Sequence, residues 1–313
     1  MIRIGLDAMG GDYAPNAPLE GIRRAFDEFG DDFCIHLYGD SAVIDSFQIE
    51  GLAEERIVKV NTTQVIEMGE SPTKAIMRKT DSSISVGLKH LKDDEIDVFI
   101  SAGNTGAVLV GSMYSVKAAE GIIRPAIATY VPNLKGNYSI MLDVGANPDV
   151  KPDVLHQFAI LGSLYAKHVL QIQSPQVGLI NIGSEPEKGN LVAQAAYSML
   201  SESSKVNFTG NIEGYDIFTG SADVLVCDGF VGNVLLKTAE SLYKIFGQKL
   251  GDDPFISKFD YQNYGATPIL GINKPVLIGH GVSSPEAFSA MIKQAHDIVE
   301  SGLVEKVKTT FEP

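Results

Sequence analysis

The sequence predicts an α/β protein with a largely parallel sheet. Short β-branched apolar runs recur along the chain, and helix-like stretches lie between them. Most of the runs also end in a cluster of glycine, aspartate and asparagine, residue types suited to a turn at a strand's carboxyl end.

The runs occupy residues 2–6, 34–38, 98–100, 140–142, 177–180, 224–226 and 276–278. They are apolar on successive positions rather than on alternate ones, which suits strands buried between helix layers. Helical patterns at 19–29, 82–91, 154–169, 191–200, 234–250 and 285–300 supply those layers. The turn clusters include Asp7-Ala-Met-Gly-Gly-Asp12, Ser101-Ala-Gly-Asn-Thr-Gly106 and Asp143-Val-Gly-Ala-Asn147. Further along come Asn181-Ile-Gly-Ser184, Asp228-Gly-Phe-Val-Gly-Asn233 and Gly279-His-Gly281. No repeat, low-complexity segment or linker interrupts the pattern. Residues 1–313 are expected to form one globular unit; two lobes around a cleft are compatible with it, but no composition shift marks a boundary.

Composition narrows the function classes. The chain carries 39 acidic against 25 basic residues, a net charge of −14, and a pI near 4.8. A nucleic-acid binder needs a basic face, so nucleic acid is excluded as a main partner. Hydrophobic residues make up 44% of the chain and charged ones 20%, which excludes disorder. The two cysteines, Cys34 and Cys227, lie far apart in apolar runs and suit a reducing cytosol. No signal-peptide-like start is present, and no apolar run approaches the roughly 18 residues of a membrane span. The chain is expected to be cytoplasmic, or at most attached to a membrane surface.

Glycine is over-represented, 31 of 313 residues, against about 7% in average proteins. In an open α/β sheet, ligands bind outside the carboxyl ends of the strands, where the clusters fall. Glycine lets backbone approach a ligand, and a following helix points N–H groups at an anion. The 101–107 segment fits this best: Asn104 or Thr105 can cap a helix while neighbouring amides cradle a phosphate, with Gly103 and Gly106 allowing close approach. Each such loop taken alone is also an ordinary turn; several of them at one edge favour a site. Dinucleotide, P-loop, metalloprotease and nucleophile-elbow motifs are missing, and Gly279-His-Gly281 has Ser284 where a third fingerprint glycine belongs. The six histidines show no metal-ligand spacing, so neither cofactor nor metal is expected.

Taken together the loops resemble the phosphate acyltransferase (PlsX) family. The matching segments are Asp7–Asp12 with Ala14-Pro15, Ser101–Ala107, Asn181-Ile-Gly with Lys188-Gly-Asn190, Cys227–Asn233 and His280-Gly-Val-Ser283. Val65-Ile-Glu-Met68 through Asp81-Ser-Ser83 and the 264–271 segment add to them; Tyr264-Gly-Ala-Thr-Pro268 departs from the family's more usual Gly-Gly-Ala-Pro. The resemblance runs from about residue 2 to about 299 and implies a three-layer α/β/α sandwich that usually dimerises. Its fold is similar to that of phosphotransacetylases and isocitrate/isopropylmalate dehydrogenases. The implied activity moves a fatty acyl group from acyl-[acyl carrier protein] to inorganic phosphate. The acyl phosphate then supplies glycerol-3-phosphate acyltransferase in bacterial phospholipid synthesis.

That chemistry needs no enzyme nucleophile, because a phosphate oxygen attacks the thioester directly. It needs a held phosphate and a stabilised oxyanion. The resemblance makes Lys188 and Asn233 the catalytic candidates, although Lys188 alone reads as a surface lysine and Asn233 equally as an N-cap. Gly103, Asn104, Thr105, Gly106, Asp7, Gly10, Gly11, Asp143, Asn181, Gly232 and His280 are the expected phosphate and substrate contacts. Asp7, Asp12 and Asp143 orient Lys188 or bind loop amides; His280 is chemical or structural; Cys227 reads as a core residue. An acidic carrier must meet a local basic patch, for which Arg78-Lys79 and Lys237, Lys244, Lys249 and Lys258 are candidates. The segment 242–270, with Leu242, Ile245, Phe246, Phe255, Ile256 and Phe259, suits a dimer core or peripheral contact with anionic lipid. Competing readings are a phosphotransacylase using acyl-coenzyme A, a decarboxylating dehydrogenase, and a non-enzymatic membrane-associated scaffold.

Overall fold

The computed structural model describes residues 1–30, 32–46, 54–250, 253 and 256–312. Alternation of strand and helix begins at once: β1 (Ile2–Asp7), α1 (Asn16–Phe29), β2 (Phe33–Gly39), α2 (Ser41–Ser46) and β3 (Ile57–Asn61). Then come α3 (Pro72–Arg78), α4 (Ser83–Lys92), β4 (Val98–Ser101), α5 (Thr105–Ser115), β5 (Ala126–Pro132) and β6 (Tyr138–Leu142). The chain continues through α6 (Pro152–His168), β7 (Gln176–Ile180), α7 (Leu191–Glu202), β8 (Asn207–Ile212), β9 (Val224–Val226) and α8 (Gly229–Leu250). It closes with β10 (Ala266–Leu270), β11 (Val276–Gly279), α9 (Pro285–Glu300) and α10 (Leu303–Phe311). The apolar runs of the sequence are β1, β2, β4, β6, β7, β9 and β11.

Packing divides these elements into two units, Met1–Ala118 with Tyr261–Val304, and Ala119–Asp260 with Glu305–Pro313. In the first, the strands pair in the order β3-β2-β1-β4-β11-β10, and only β10 and β11 run antiparallel. Helices cover both faces. The Phe99 ring of β4 lies against Gly87 of α4, where a Cβ would stand 2.1 Å from it. On the opposite face, a Cβ on Gly279 of β11 would meet Met291 of α9 at 2.6 Å. Ile4, Leu6, Ile100 and Leu277 are accordingly fully buried, as strands covered on both sides require.

In the second unit the order is β5-β6-β9-β7-β8, with β5 and β6 antiparallel and the rest parallel. Gly162 of α6 sits over Val224 of β9 and Leu142 of β6, so the helix lies close to the sheet. Register aligns the strand ends. Leu142 pairs with Val226 and Val226 with Leu179, which brings Asp143, Cys227 and Ile180 to one edge. In the first unit Leu6 and Leu277 both pair with Ile100, which aligns Asp7, Ser101 and Ile278. The turn clusters therefore gather at the carboxyl edge of each unit's parallel strands.

Candidate functional site

The first unit's loops are built around Asp7, which ends β1 and is buried. Its carboxylate accepts from Ser101 Oγ at 2.7 Å and from the Met9 amide at 2.9 Å. Ser101 Oγ in turn accepts from the Gly103 amide at 3.0 Å. Burial pushes the Asp7 carboxyl up, against the lowering effect of bonds from Ser83, Ser101 and two backbone amides. A Cβ on Gly10 would stand 2.5 Å from Asp7 Oδ2 and 2.7 Å from Gly103 N, so only glycine fits there. Gly11 has φ +100°, and the following Asp12 amide donates to Gly281 O at 2.6 Å.

Asn104 caps α5, as one reading of the sequence expects: its Oδ1 accepts from the Ala107 amide at 3.0 Å. Its Nδ2 points elsewhere, to the carbonyls of Glu67, Met68 and Glu70 at 3.0–3.1 Å. The side chain is thus committed to fastening the 67–70 loop, not to a phosphate. Gly106 differs from expectation in the same way. The space where its Cβ would lie is filled by Pro72 of α3, at 2.5 Å, so the close approach it permits is between helices. What α5 offers an anion is the pair of first-turn amides of Thr105 and Gly106, which have no intrahelical acceptor. His280 closes a turn through its carbonyl, which accepts from Ser283 N and Oγ at 2.9 and 2.6 Å.

The second unit is organised by Asp143, fully buried at the end of β6. Its Oδ1 accepts from the amides of Ile127, Gly145 and Ala146 at 3.0–3.2 Å. Its Oδ2 accepts from Asn147 N and Nδ2 at 2.6 and 3.0 Å. Of the two roles open in the sequence, Asp143 has the loop-amide one, and none of these bonds goes to Lys188. Asn147, which sequence reasoning passed over, also reaches Pro125 O at 2.7 Å and ties the loop to the start of β5.

Asn233 is not an N-cap. α8 begins a turn earlier, at Gly229, and Asp228 caps it by accepting from the Val231 amide at 2.8 Å. Two glycines inside the first turn hid this start, and both have contacts that exclude a side chain. A Cβ on Gly229 would lie 2.8 Å from Asp143 Oδ2, and one on Gly232 would lie 1.9 Å from Asp143 O. Asn233 is exposed, with Nδ2 donating to Val144 O at 3.1 Å.

Lys188 sits on the loop before α7. Asn181 holds that loop, donating to Lys188 O and Asn211 Oδ1, both at 3.1 Å. Gly189 passes Asn181 with φ +88°. The Lys188 ammonium is exposed and lies 4.0 Å from Glu185, a loose surface pair. Beside this loop, at the ends of β7 and β9, is a cavity of about 430 Å³ that Asn181, Gly189, Leu179 and Val231 help to line. Cys227 also lines it, and burial raises its thiol well above the ordinary value, so it is no nucleophile.

Among the candidate basic groups, Lys79 is held by Glu70 and Val65 O, Lys237 by Glu240, and Lys258 by Gly136 O. Arg78 and Lys244 are exposed. Leu242, Ile245 and Phe246 project from α8 into solvent, whereas the Phe259 ring packs on Phe218 with centroids 5.4 Å apart. Phe255 and the Lys249 side chain lie outside the described residues. One group among the described residues has metal-ligand character: His296, Asp297 and Glu300, with donor atoms within 4.8 Å. Asp32 and Lys293 already pair with His296 and Asp297, at 2.9 and 2.7 Å.

Comparison with known proteins gives these loops a family. The family described as fatty acid synthesis protein matches residues 2–306. A phosphate acyltransferase of Thermoanaerobacterium thermosaccharolyticum is 41% identical over 99% of this chain and 97% of its own. One from Desulforamulus reducens is 42% identical over 100% of this chain and 98% of its own. Among solved structures, a branched-chain phosphotransacylase from Enterococcus faecalis superposes with a TM-score of 0.64 at 14% identity, covering 96% of this chain and 99% of that one. The EutD phosphotransacetylase from Staphylococcus aureus gives 0.61 at 15%, covering 95% and 94%. Those two likenesses are of fold, in keeping with the α/β sandwich expected from the sequence. The near-complete sequence match is of family: the chain belongs to the phosphate acyltransferases.

Proposed function

We propose that the chain moves a fatty acyl group from the thioester of an acyl carrier protein to inorganic phosphate. The observation that carries this reading is the Lys188 loop, an exposed ammonium on a segment pinned by Asn181 beside a cavity, in a chain of this family. A phosphate oxygen attacks the carbonyl carbon, forming a C–O bond and a tetrahedral oxyanion. The oxyanion collapses, the C–S bond breaks, and the phosphate's proton ends on the departing thiol. Acyl phosphate and free carrier are the products.

In the second unit, Lys188 supplies positive charge for the oxyanion or the phosphate, and Asn233 an amide group. In the first unit, the amides of Thr105 and Gly106 hold an anion, while Asp7, Gly10, Gly11 and Asn104 shape the loops that present them. Gly232, Asp143 and Asn181 do the same for Asn233 and Lys188. An acidic carrier meets a chain of net charge −14 through a local basic patch that includes Arg78 or Lys244. We extend the reading to a homodimer, and to peripheral attachment through the α8 face of Leu242, Ile245 and Phe246. No helix among the described residues is long and apolar enough to cross a membrane. The acyl phosphate would pass to a glycerol-3-phosphate acyltransferase.

Incubation with palmitoyl-carrier protein or palmitoyl-coenzyme A and phosphate, with hydroxylamine to trap acyl phosphate, tests this. The carrier thioester should give phosphate-dependent hydroxamate, and Lys188→Ala should lose about 10²–10³ in rate. No hydroxamate from either donor removes acyl transfer. Product from the coenzyme A thioester alone removes the carrier, and an undiminished Lys188→Ala removes the site.

A further inference from the structure

We infer that the cavity of the second unit is the site of the acyl chain, and that Ala193 on its wall sets the chain length accepted. This rests on the acyl transfer proposed above and names the part of the substrate that the cavity takes.

The cavity lies at the carboxyl ends of β7 and β9, between the first turns of α7 and α8. Leu155, Leu179 and Ile217, all buried, are among its apolar lining, and Val231, Leu235 and Ala193 add to it. The only charged residues in its lining are two aspartates, Asp149 and Asp228, and Asp228 is engaged as the α8 cap. An apolar hollow with carboxylates and no cation repels phosphate or a nucleotide and suits a neutral hydrocarbon. At about 30 Å³ per methylene-sized group, the volume of one water in the liquid, its roughly 430 Å³ hold about fourteen groups. An acetyl group would leave it almost empty.

Its position fits the chemistry. Gly189 and Asn181 belong to both the lining and the Lys188 loop. A chain lying in the cavity therefore brings its carbonyl end to that loop. Each methylene buried is worth about fourfold in affinity, so the walls translate directly into a preference for length. Ala193 is half-buried in the first turn of α7, small and on the cavity wall, so a larger side chain there takes volume from the hollow.

The test compares octanoyl and hexadecanoyl donors with wild type, Ala193→Leu and Ala193→Phe, after urea unfolding has shown the variants folded. The ratio of kcat/KM for hexadecanoyl over octanoyl should fall in Ala193→Leu and by at least about tenfold in Ala193→Phe, about two buried methylenes' worth. Equal losses at both lengths, or an unchanged ratio, overturn the inference. Binding of a fluorescent long-chain fatty acid is measured in parallel. If wild type made no acyl phosphate, the function proposed above would fail, and this binding would still decide the cavity. Probe affinity at least about tenfold weaker in Ala193→Phe sustains it; no binding, or equal binding, overturns it.

Discussion

Asp143→Ala is the sharpest probe of the second unit. The substitution removes the acceptor of Ile127 N and Asn147 N, both buried, and of two part-buried amides, Gly145 and Ala146. The part-buried pair can turn to water, and Asn147 Nδ2 keeps Pro125 O. That leaves two buried amides unsatisfied, each costing about 1–3 kcal/mol, for a loss of about 2–6 kcal/mol. Total stability is on the order of 5–15 kcal/mol, so the loss is a large share of it. With a urea slope of ~3 kcal/mol/M, the midpoint falls by about 1–2 M. Asp143→Asn should fall about half as far, because Oδ1 still serves Ile127 while an N–H now faces Asn147 N. Urea unfolding gives the size of the loss, and amide hydrogen exchange at Ile127 and Asn147 gives its place. A stability within about 0.5 kcal/mol of wild type for Asp143→Ala, or unchanged exchange at those amides, would refute the view that this carboxylate organises the loop.

Two further outcomes follow from the same geometry. Gly232→Ala places a Cβ 1.9 Å from Asp143 O, and the overpacking should cost about 1–3 kcal/mol and displace Asn233; wild-type stability together with wild-type acyl-phosphate formation would contradict it. Asp7→Asn tests the buried carboxyl of the first unit. Its folded value is raised by burial, so its favourable contribution is complete below the unfolded value and is lost as pH rises through the folded one. Asp7→Asn should therefore gain on wild type as pH rises from about 4, levelling off above the folded value; a difference independent of pH in urea unfolding would count against it.

Much of the fold was legible in the sequence because it is local. Most strands covered on both faces are short, continuous apolar runs, and β1, β2, β4, β6, β7, β9 and β11 were visible as such. The strands passed over lack that signal for two reasons. β3 and β8 each pair along one side only and are half-solvated, so neither carries an apolar run. β10 contains Pro268 and β5 ends in Pro132, which reads as a strand breaker. Their antiparallel partners, β11 and β6, lack such residues. The division into two units left no mark, since the chain changes unit near residues 118 and 260 without a change in composition.

The sequence by itself determined the α/β alternation, the strand ends, the turn clusters and the family, since periodicity, turn chemistry and motif wording are all local. Tertiary structure decided what each cluster residue faces. Asn104 is spent on the 67–70 carbonyls, Gly106 on Pro72, and Gly232 on the Asp143 carbonyl, leaving Lys188 and Asn233 exposed. Those partners lie tens of residues away in the chain, and only tertiary packing brings them together. The cavity beside Lys188 has the same origin: its lining comes from three helices and two strand ends, and no single stretch of sequence contains it.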